Sequence, residues 1–286
     1  MANLQRSGSV SLSRGINKTV IYVICILLSL LSIMPFLIMF VNATRSTPEI
    51  QSGLSLIPST HLISNWNVLL DKSFDPFRGF MNSLIISGCA TILTVYFSSL
   101  TAYAIVVYNW HFRQPFFTFI MAVMMIPSQA SAIGFYQFMY KLHWTNSYLP
   151  LILPAIAAPA VVFFMRQYLL ATLSVELVEA ARVDGSSEFS TFNKIIMPIM
   201  MPAVATQAIF AFVGNWNNLF MPLILLTQKD KYTLPIMVSL LRGDIYKTEF
   251  GSIYLGLSLT VLPLFVIYFL LSRYIIAGVA LGGVKE

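Results

Sequence analysis

The sequence predicts an all-α membrane protein with six transmembrane helices, and three observations carry that prediction. Of the 286 residues, 57% are hydrophobic and 10% charged, whereas soluble domains carry about 25% charged residues. The apolar residues fall in blocks of roughly 20, enough for a helix to cross ~30 Å of hydrocarbon. None of the proposed blocks carries Asp, Glu, Lys or Arg well inside it, and a charge at that depth is costly.

Taken in order, Met1–Lys18 reads as a flexible tail containing Ser, Gly and Arg, within an N-terminal tail over 1–19. Val20–Val41 is the first span. Val41-Asn42-Ala43 faintly resembles a signal-peptidase site, but the apolar block exceeds the 7–15 residues of a signal core, so an uncleaved span is expected. Thr44–Gly79 holds Pro48, Pro58 and Pro76 and reads as a polar loop. Further spans are expected at Met81–Tyr108, Pro115–Tyr140, Leu149–Met165, Ile199–Thr227 and Ser252–Leu271. The spanning domain then covers 20–275, with a C-terminal tail over 276–286. Pro127, Pro154, Pro159, Pro202, Pro222 and Pro263 fall in the later blocks, and each removes a backbone donor and bends its helix. Packing kinks and broken helices lining a pathway both fit that pattern.

Several function classes are excluded or disfavoured. The net charge is +6, but Lys and Arg are scattered through loops without a basic run, so they are topology signals and no nucleic-acid partner is expected. They divide almost evenly between the two sides, which leaves orientation open on charge alone. Cys25 and Cys89 sit in apolar blocks without a Cys-x-x-Cys spacing and are expected to be small buried hydrophobes. His61, His111 and His143 are isolated in loops, and no metal or catalytic site is expected. No G-x-x-x-x-G-K-[ST] phosphate loop occurs, so the chain does not hydrolyse ATP itself. The lack of charge within the spans argues against proton or voltage coupling. Sodium coupling through carbonyls and hydroxyls stays open as an alternative.

The chain is organised around a polar segment between apolar blocks, Glu176–Pro198. Leu177, Ala180, Ala181 and Asp184 share one helical stripe, flanked by Glu176 and Glu179. Gly185 ends that helix, because a sharp reversal needs positive φ. Ser186 or Ser187 caps a second helix with Glu188 near its positive end. Phe189, Phe192 and Ile196 line one side of it, and Pro198 closes it. The expected product is a helix–turn–helix elbow outside the bilayer.

Glu179-Ala180-Ala181, Gly185 after three residues, and Ile195-Ile196-Met197-Pro198 after nine more resemble the EAA motif of ABC-importer permeases, E-A-A-x3-G-x9-I-x-L-P. Met197 for Leu is the one departure and conserves volume. Asn82-Ser83-Leu84, Ser98-Ser99-Leu100, Ala102-Tyr103-Ala104, Met124-Met125-Ile126-Pro127, Asn215-Trp216-Asn217, Pro222-Leu223 and Tyr232-Thr233-Leu234-Pro235 are similar to carbohydrate permeases. The tail Ala277–Lys285 is similar to that of the shorter permease subunits of maltose-type importers. The resemblance implies a type I ABC-importer permease fold whose elbow is a cytoplasmic coupling helix. Glu176, Glu179, Ala180, Ala181, Asp184, Gly185, Ile195 and Pro198 would then dock an ATPase, and Gly282, Gly283, Val284 and Lys285 would contact it. It further implies a second, different permease, two ATP-binding subunits that hold ATP and Mg, and an extracellular sugar-binding protein reached by the outer loop Gln228–Gly251. No cofactor is expected on this chain, and both termini would be cytoplasmic at the bacterial plasma membrane.

Polar residues within the spans are candidates for the route. Gln129 in the third span and Asn215, Trp216 and Asn218 in the fifth offer amides beside an indole, which suit a sugar's hydroxyls and C–H face. Helix-to-helix hydrogen bonding explains the same residues equally well. A permease of the same build for a non-sugar solute is the alternative reading.

Overall fold

The computed structural model describes the backbone of residues 3–71, 74–241 and 249–283, with the side chains of 3–17, 71, 128 and 270–283 left aside. The chain forms two compact units, residues 1–74 with 241–259, and residues 75–240 with 260–286.

The first unit begins with α1 (Asn3–Asn42). The tail expected to be flexible is helical from Asn3, since extending a nucleated helix fixes few dihedrals per bond gained. From Val20 to Leu37 its large apolar side chains point outward, as on a helix surrounded by lipid. Cys25 is exposed on the same surface, and Cys89 is exposed in the second unit. Neither is the buried hydrophobe expected, because the apolar neighbours that suggested burial themselves face outward.

The predicted polar loop is also structured, with α2 (Thr47–Gln51) and α3 (Leu62–Asp71). Pro48 sits in the first turn of α2, where its missing N–H costs nothing. Glu49 accepts hydrogen bonds from the Ser46 backbone N–H at 2.8 Å and the Ser59 hydroxyl at 3.0 Å. Arg45 is buried and donates to the Asn42 side chain at 3.1 Å, to the Gly53 carbonyl at 3.2 Å and to the Glu49 carbonyl. The helix beginning at Phe250 is stitched to this segment: Ser252 donates to the Asn65 carbonyl at 3.0 Å, and the Phe250 N–H donates to Thr47 Oγ1 at 3.0 Å. Gly251 lets the backbones meet. A Cβ there would lie 2.3 Å from the Arg45 carbonyl oxygen and 2.4 Å from Asn65 Nδ2.

The second unit starts with α4 (Pro76–Val107), whose first turn is capped by the Asp75 carboxylate accepting from the Arg78 N–H at 3.0 Å. The third predicted span is two helices, α5 (Arg113–Val123) and α6 (Ser128–Lys141). The break at 124–127 follows from Pro127, which pushes the residue before it out of the helical region. Next come α7 (Leu149–Ile152), a 3₁₀ turn, and α8 (Pro159–Thr172). This path extends past the predicted end at Met165 and takes in Arg166 toward its C-terminal end. The elbow comprises α9 (Val175–Val183), α10 (Glu188–Thr191) and a π turn over Phe192–Ile196. It continues directly into α11 (Met197–Trp216). The predicted fifth span stops there, unwinds at 217–219, and resumes as α12 (Phe220–Leu225). The stretch expected as an outer loop holds a 3₁₀ turn and α13 (Leu234–Leu240) before α14 (Phe250–Gly283). Among the described residues five helices are long and apolar enough to cross a membrane: 18–42, 76–107, 149–172, 188–216 and 250–269.

Within this unit α4 is central, packing most extensively on α11 and α8. Its buried face carries Ser87, Ala90, Thr91, Thr94, Ser98 and Ala102, small residues that let helix backbones approach closely. Thr94 donates to the Ala155 carbonyl at 3.0 Å, whereas the hydroxyls of Ser87, Thr91, Ser98 and Ser99 make no hydrogen bond among the described residues. At the start of α4, Asn82 donates to the carbonyls of Asp230 and Tyr232, both at 2.9 Å, and Ser83 accepts from the Leu234 N–H at 3.0 Å. These bonds hold the segment entering α13 against α4.

Trp216 is 1% exposed. Its indole N–H donates to the Thr260 carbonyl at 3.0 Å, and its ring stacks on Phe212 at 5.5 Å and meets Phe80 edge-on at 5.7 Å. An indole whose faces and N–H are already engaged supports packing instead of lining a route.

Two substitutions test these joints by thermal melting of the purified chain in detergent. Gly251→Ala should destabilise by about 1–3 kcal/mol, the usual cost of overpacking; an unchanged midpoint would mean the close approach is absent. Trp216→Phe should lower stability by about 1 kcal/mol by removing the buried indole hydrogen bond to the Thr260 carbonyl; an unchanged midpoint would mean that bond contributes nothing.

Candidate functional site

The elbow is built from local rules. Ser174 precedes α9 in extended conformation, and Glu176 stands in the first turn at the positive end of the helix dipole. The Glu176 carboxylate accepts from the Ser174 hydroxyl, which holds its pKa below the ordinary carboxylate value. At the other end the Gly185 N–H donates to the Arg182 carbonyl at 3.0 Å and the Ser186 N–H to the Ala181 carbonyl at 2.9 Å. That pair of bonds is a Schellman closure around a residue with positive φ. Gly185 has φ +78°, with no atom near a would-be Cβ, so the demand for glycine is conformational. Ser187 then caps α10, its hydroxyl oxygen accepting from the Ser190 N–H at 3.3 Å.

The faces of the elbow differ from the predicted stripes. Val178 is buried in one cluster with Tyr103, Leu169, Phe192 and Ile196, and Ala181, three residues on, is buried as well. Leu177, Glu179, Ala180 and Asp184 face outward, and Val183 is 88% exposed. The predicted stripe therefore splits, since Val178 and Ala181, three apart, form the seam that seats the helix. In the second helix Phe192 and Ile196 are buried as expected, but Phe189 is 68% exposed. Ile195 is half-buried against the same cluster.

Pro198 does not close the second helix. The Met197 N–H donates to the Phe192 carbonyl, five residues back, and this wider turn precedes the proline. Pro198 then occupies the first turn of α11, where a missing donor is tolerated.

A polar cluster joins the elbow to the end of α4. Arg182 Nε donates to Glu188 Oε1 at 2.7 Å. Glu188 Oε2 accepts from the Tyr103 hydroxyl at 3.3 Å and from the Tyr108 hydroxyl. The Arg182 guanidinium also lies over the Tyr108 ring, 5.4 Å from its centre, and the carboxylate raises the Arg182 pKa further above its ordinary value. Sequence reasoning did not join these four residues. The available signal was an opposite-charge pair straddling a glycine turn. Arg166 was passed over too; its guanidinium sits 4.2 Å from the centre of the Phe117 ring, a cation–π contact.

The route candidates are not gathered into one constellation. Gln129 is exposed in the first turn of α6, and α6 packs beside α12. Asn215 is half-buried and donates to the Ala211 carbonyl of its own helix at 2.8 Å. Asn218 accepts from the Met221 N–H at 3.4 Å, steadying the break before α12. Gly282 and Gly283 end α14, while Val284 and Lys285 lie outside the described residues.

The family described as the binding-protein-dependent transport system inner membrane component matches residues 96–280. The arabinooligosaccharides transport system permease protein AraQ of Halalkalibacterium halodurans is 36% identical over 261 residues, covering 90% of this chain and 93% of that protein. The trehalose/maltose transport system permease protein MalG of Thermococcus litoralis is 29% identical over 264 residues, covering 91% and 94%. A chain in the crystal structure of a bacterial ABC transporter involved in the import of alginate superposes with a TM-score of 0.78 at 20% identity, covering 92% of this chain and 97% of that one. At that identity the superposition establishes the fold, an ABC-importer permease architecture. The match to residues 96–280 takes in the elbow and more than half of the chain, and it shows that this protein belongs to the family of binding-protein-dependent transport system inner membrane components.

Proposed function

We propose that this chain is one permease subunit of an ATP-driven importer that moves a sugar or oligosaccharide from an extracellular binding protein into the cytoplasm by alternating access. The observation that carries the reading is the elbow's outward face. Leu177, Glu179, Ala180, Val183 and Asp184 are presented beside a Gly185 turn, with no covering element of the described chain. A short ridge with two carboxylates and a few apolar side chains suits a cleft on a soluble protein.

The supplier of energy is a pair of ATP-binding subunits that hold ATP and Mg and receive the elbow, with Ile195 and Pro198 at its base. A second, different permease completes the pathway. The elbow and both termini then face the cytoplasm, with α5 and α6 together making one crossing, and the tail at Gly282–Lys285 lies against the ATP-binding subunits. The sugar class rests on the names of the relatives, AraQ and MalG. Gln129, Asn215 and Asn218 are the route residues retained in this reading. A panel of sugars, amino acids and phosphate, tested for stimulation of ATP hydrolysis by the reconstituted complex, checks the class; stimulation by a non-sugar alone would overturn it.

Glu179→Lys should leave membrane insertion intact yet cut uptake by at least about tenfold, since reversing a charge at an interface centre costs 2 kcal/mol or more. Gly185→Asp should do the same by straining the turn. Co-purification of ATP-binding subunits, lost in both variants, is the companion measurement; normal uptake with normal co-purification would refute the docking role.

A further inference from the structure

We propose that Glu188 is a positioning residue that transmits movement of the elbow to the transmembrane helices, a proposal that rests on the docking reading above. Three helices converge on its carboxylate. Arg182 reaches it from α9 at 2.7 Å, Tyr103 and Tyr108 reach it from the end of α4, and Glu188 itself opens the helical path 188–216.

The remaining ties of α9 to the bundle are of a different kind. Val178 and Ala181 bury apolar surface, an attraction that is non-directional. Gly185 carries no side chain and no atom lies within 4 Å of a would-be Cβ, so no packed contact at that position links α9 to α10. A carboxylate gripped by a guanidinium and two phenols is directional, because charge-assisted hydrogen bonds are short and orientation-dependent. A push on the outward face of α9 thus travels through Arg182 to Glu188, and from there to α4 and to the helix leading to Trp216.

Exposure separates this role from a stabilising one. The Arg182 and Glu188 side chains are 38% and 46% exposed, and ion pairs that open to water add little to stability. Tyr103 is 2% exposed and lies against Phe192 at a centroid distance of 5.5 Å, so the clamp's inner end is anchored in the core while its outer end stays wet.

The test uses the complete transporter, with its second permease, ATP-binding subunits and binding protein, reconstituted in vesicles. Solute moved per ATP hydrolysed should fall by about tenfold in Glu188→Gln and in Arg182→Ala, within the usual range of coupling between sites. Tyr108→Phe should lose about threefold, the scale of one hydrogen bond. The double variant Arg182→Ala/Glu188→Gln should be no worse than Glu188→Gln alone, because both act through one carboxylate. Melting temperature, co-purification of the ATP-binding subunits and ATP hydrolysis should all stay near wild type. Unchanged transport per ATP in Glu188→Gln overturns the clamp and leaves docking intact. Loss of the ATP-binding subunits from these variants also overturns it, by making the cluster a support for the docking surface. Normal uptake together with retention of those subunits in Glu179→Lys overturns the docking reading, and the clamp falls with it.

Discussion

Hydrocarbon offers no partner to a backbone N–H or C=O, and that constraint governs where every helix of this chain starts, bends and stops. It makes helices the spanning element, and it makes each proline an event. Pro127 and Pro159 each follow a non-helical residue, and α6 and α8 begin there. Pro222 lies just past the unwound 217–219, where Asn218 supplies a side-chain acceptor in place of lost helix bonds. Pro202 and Pro263 are carried inside unbroken helices. Pro198 is accommodated by a wider turn just before it, which is how the second helix of the elbow and α11 become one continuous rod.

The same constraint explains what the sequence could disclose. Long apolar runs have one way to enter lipid, so the first, second and sixth spans were legible to within a few residues. Gly185 was legible because positive φ at a helix end has few tenants. The outward direction of the Leu177 stripe was not, since a helix with small residues on two faces can be seated on either. Phe189 and Phe192 illustrate this: three apart on one predicted side, one is exposed and the other carries the core. Cys25 failed for a related reason, because hydropathy reports preference for an apolar medium and does not distinguish lipid from protein. The Arg182–Glu188–Tyr108 contact was illegible because it joins α4 to residues some 80 positions later, a separation that no local pattern encodes.

Seen as a mechanical part, the elbow combines a short helix, a glycine reversal and a polar grip on the bundle. The reversal rests on the positive φ of Gly185 and its two closing hydrogen bonds, and the grip is selective because its hydrogen bonds are charge-assisted and directional. Neither element needs large burial to act, and this is why the region is mostly exposed while its anchor points, Val178, Phe192 and Ile196, are sealed.

The hydroxyls on the buried face of α4 have a further implication. Ser87, Thr91, Ser98 and Ser99 are enclosed by neighbouring helices yet bonded to none of them. The seam at these positions is held by close contact of small residues, while the directed links of α4 lie at Asn82, Ser83, Thr94, Tyr96, Tyr103 and Tyr108. Adjustment of the helices against α4 is therefore confined to the stretches between those pinned positions, where neighbouring backbones can shift without breaking a hydrogen bond.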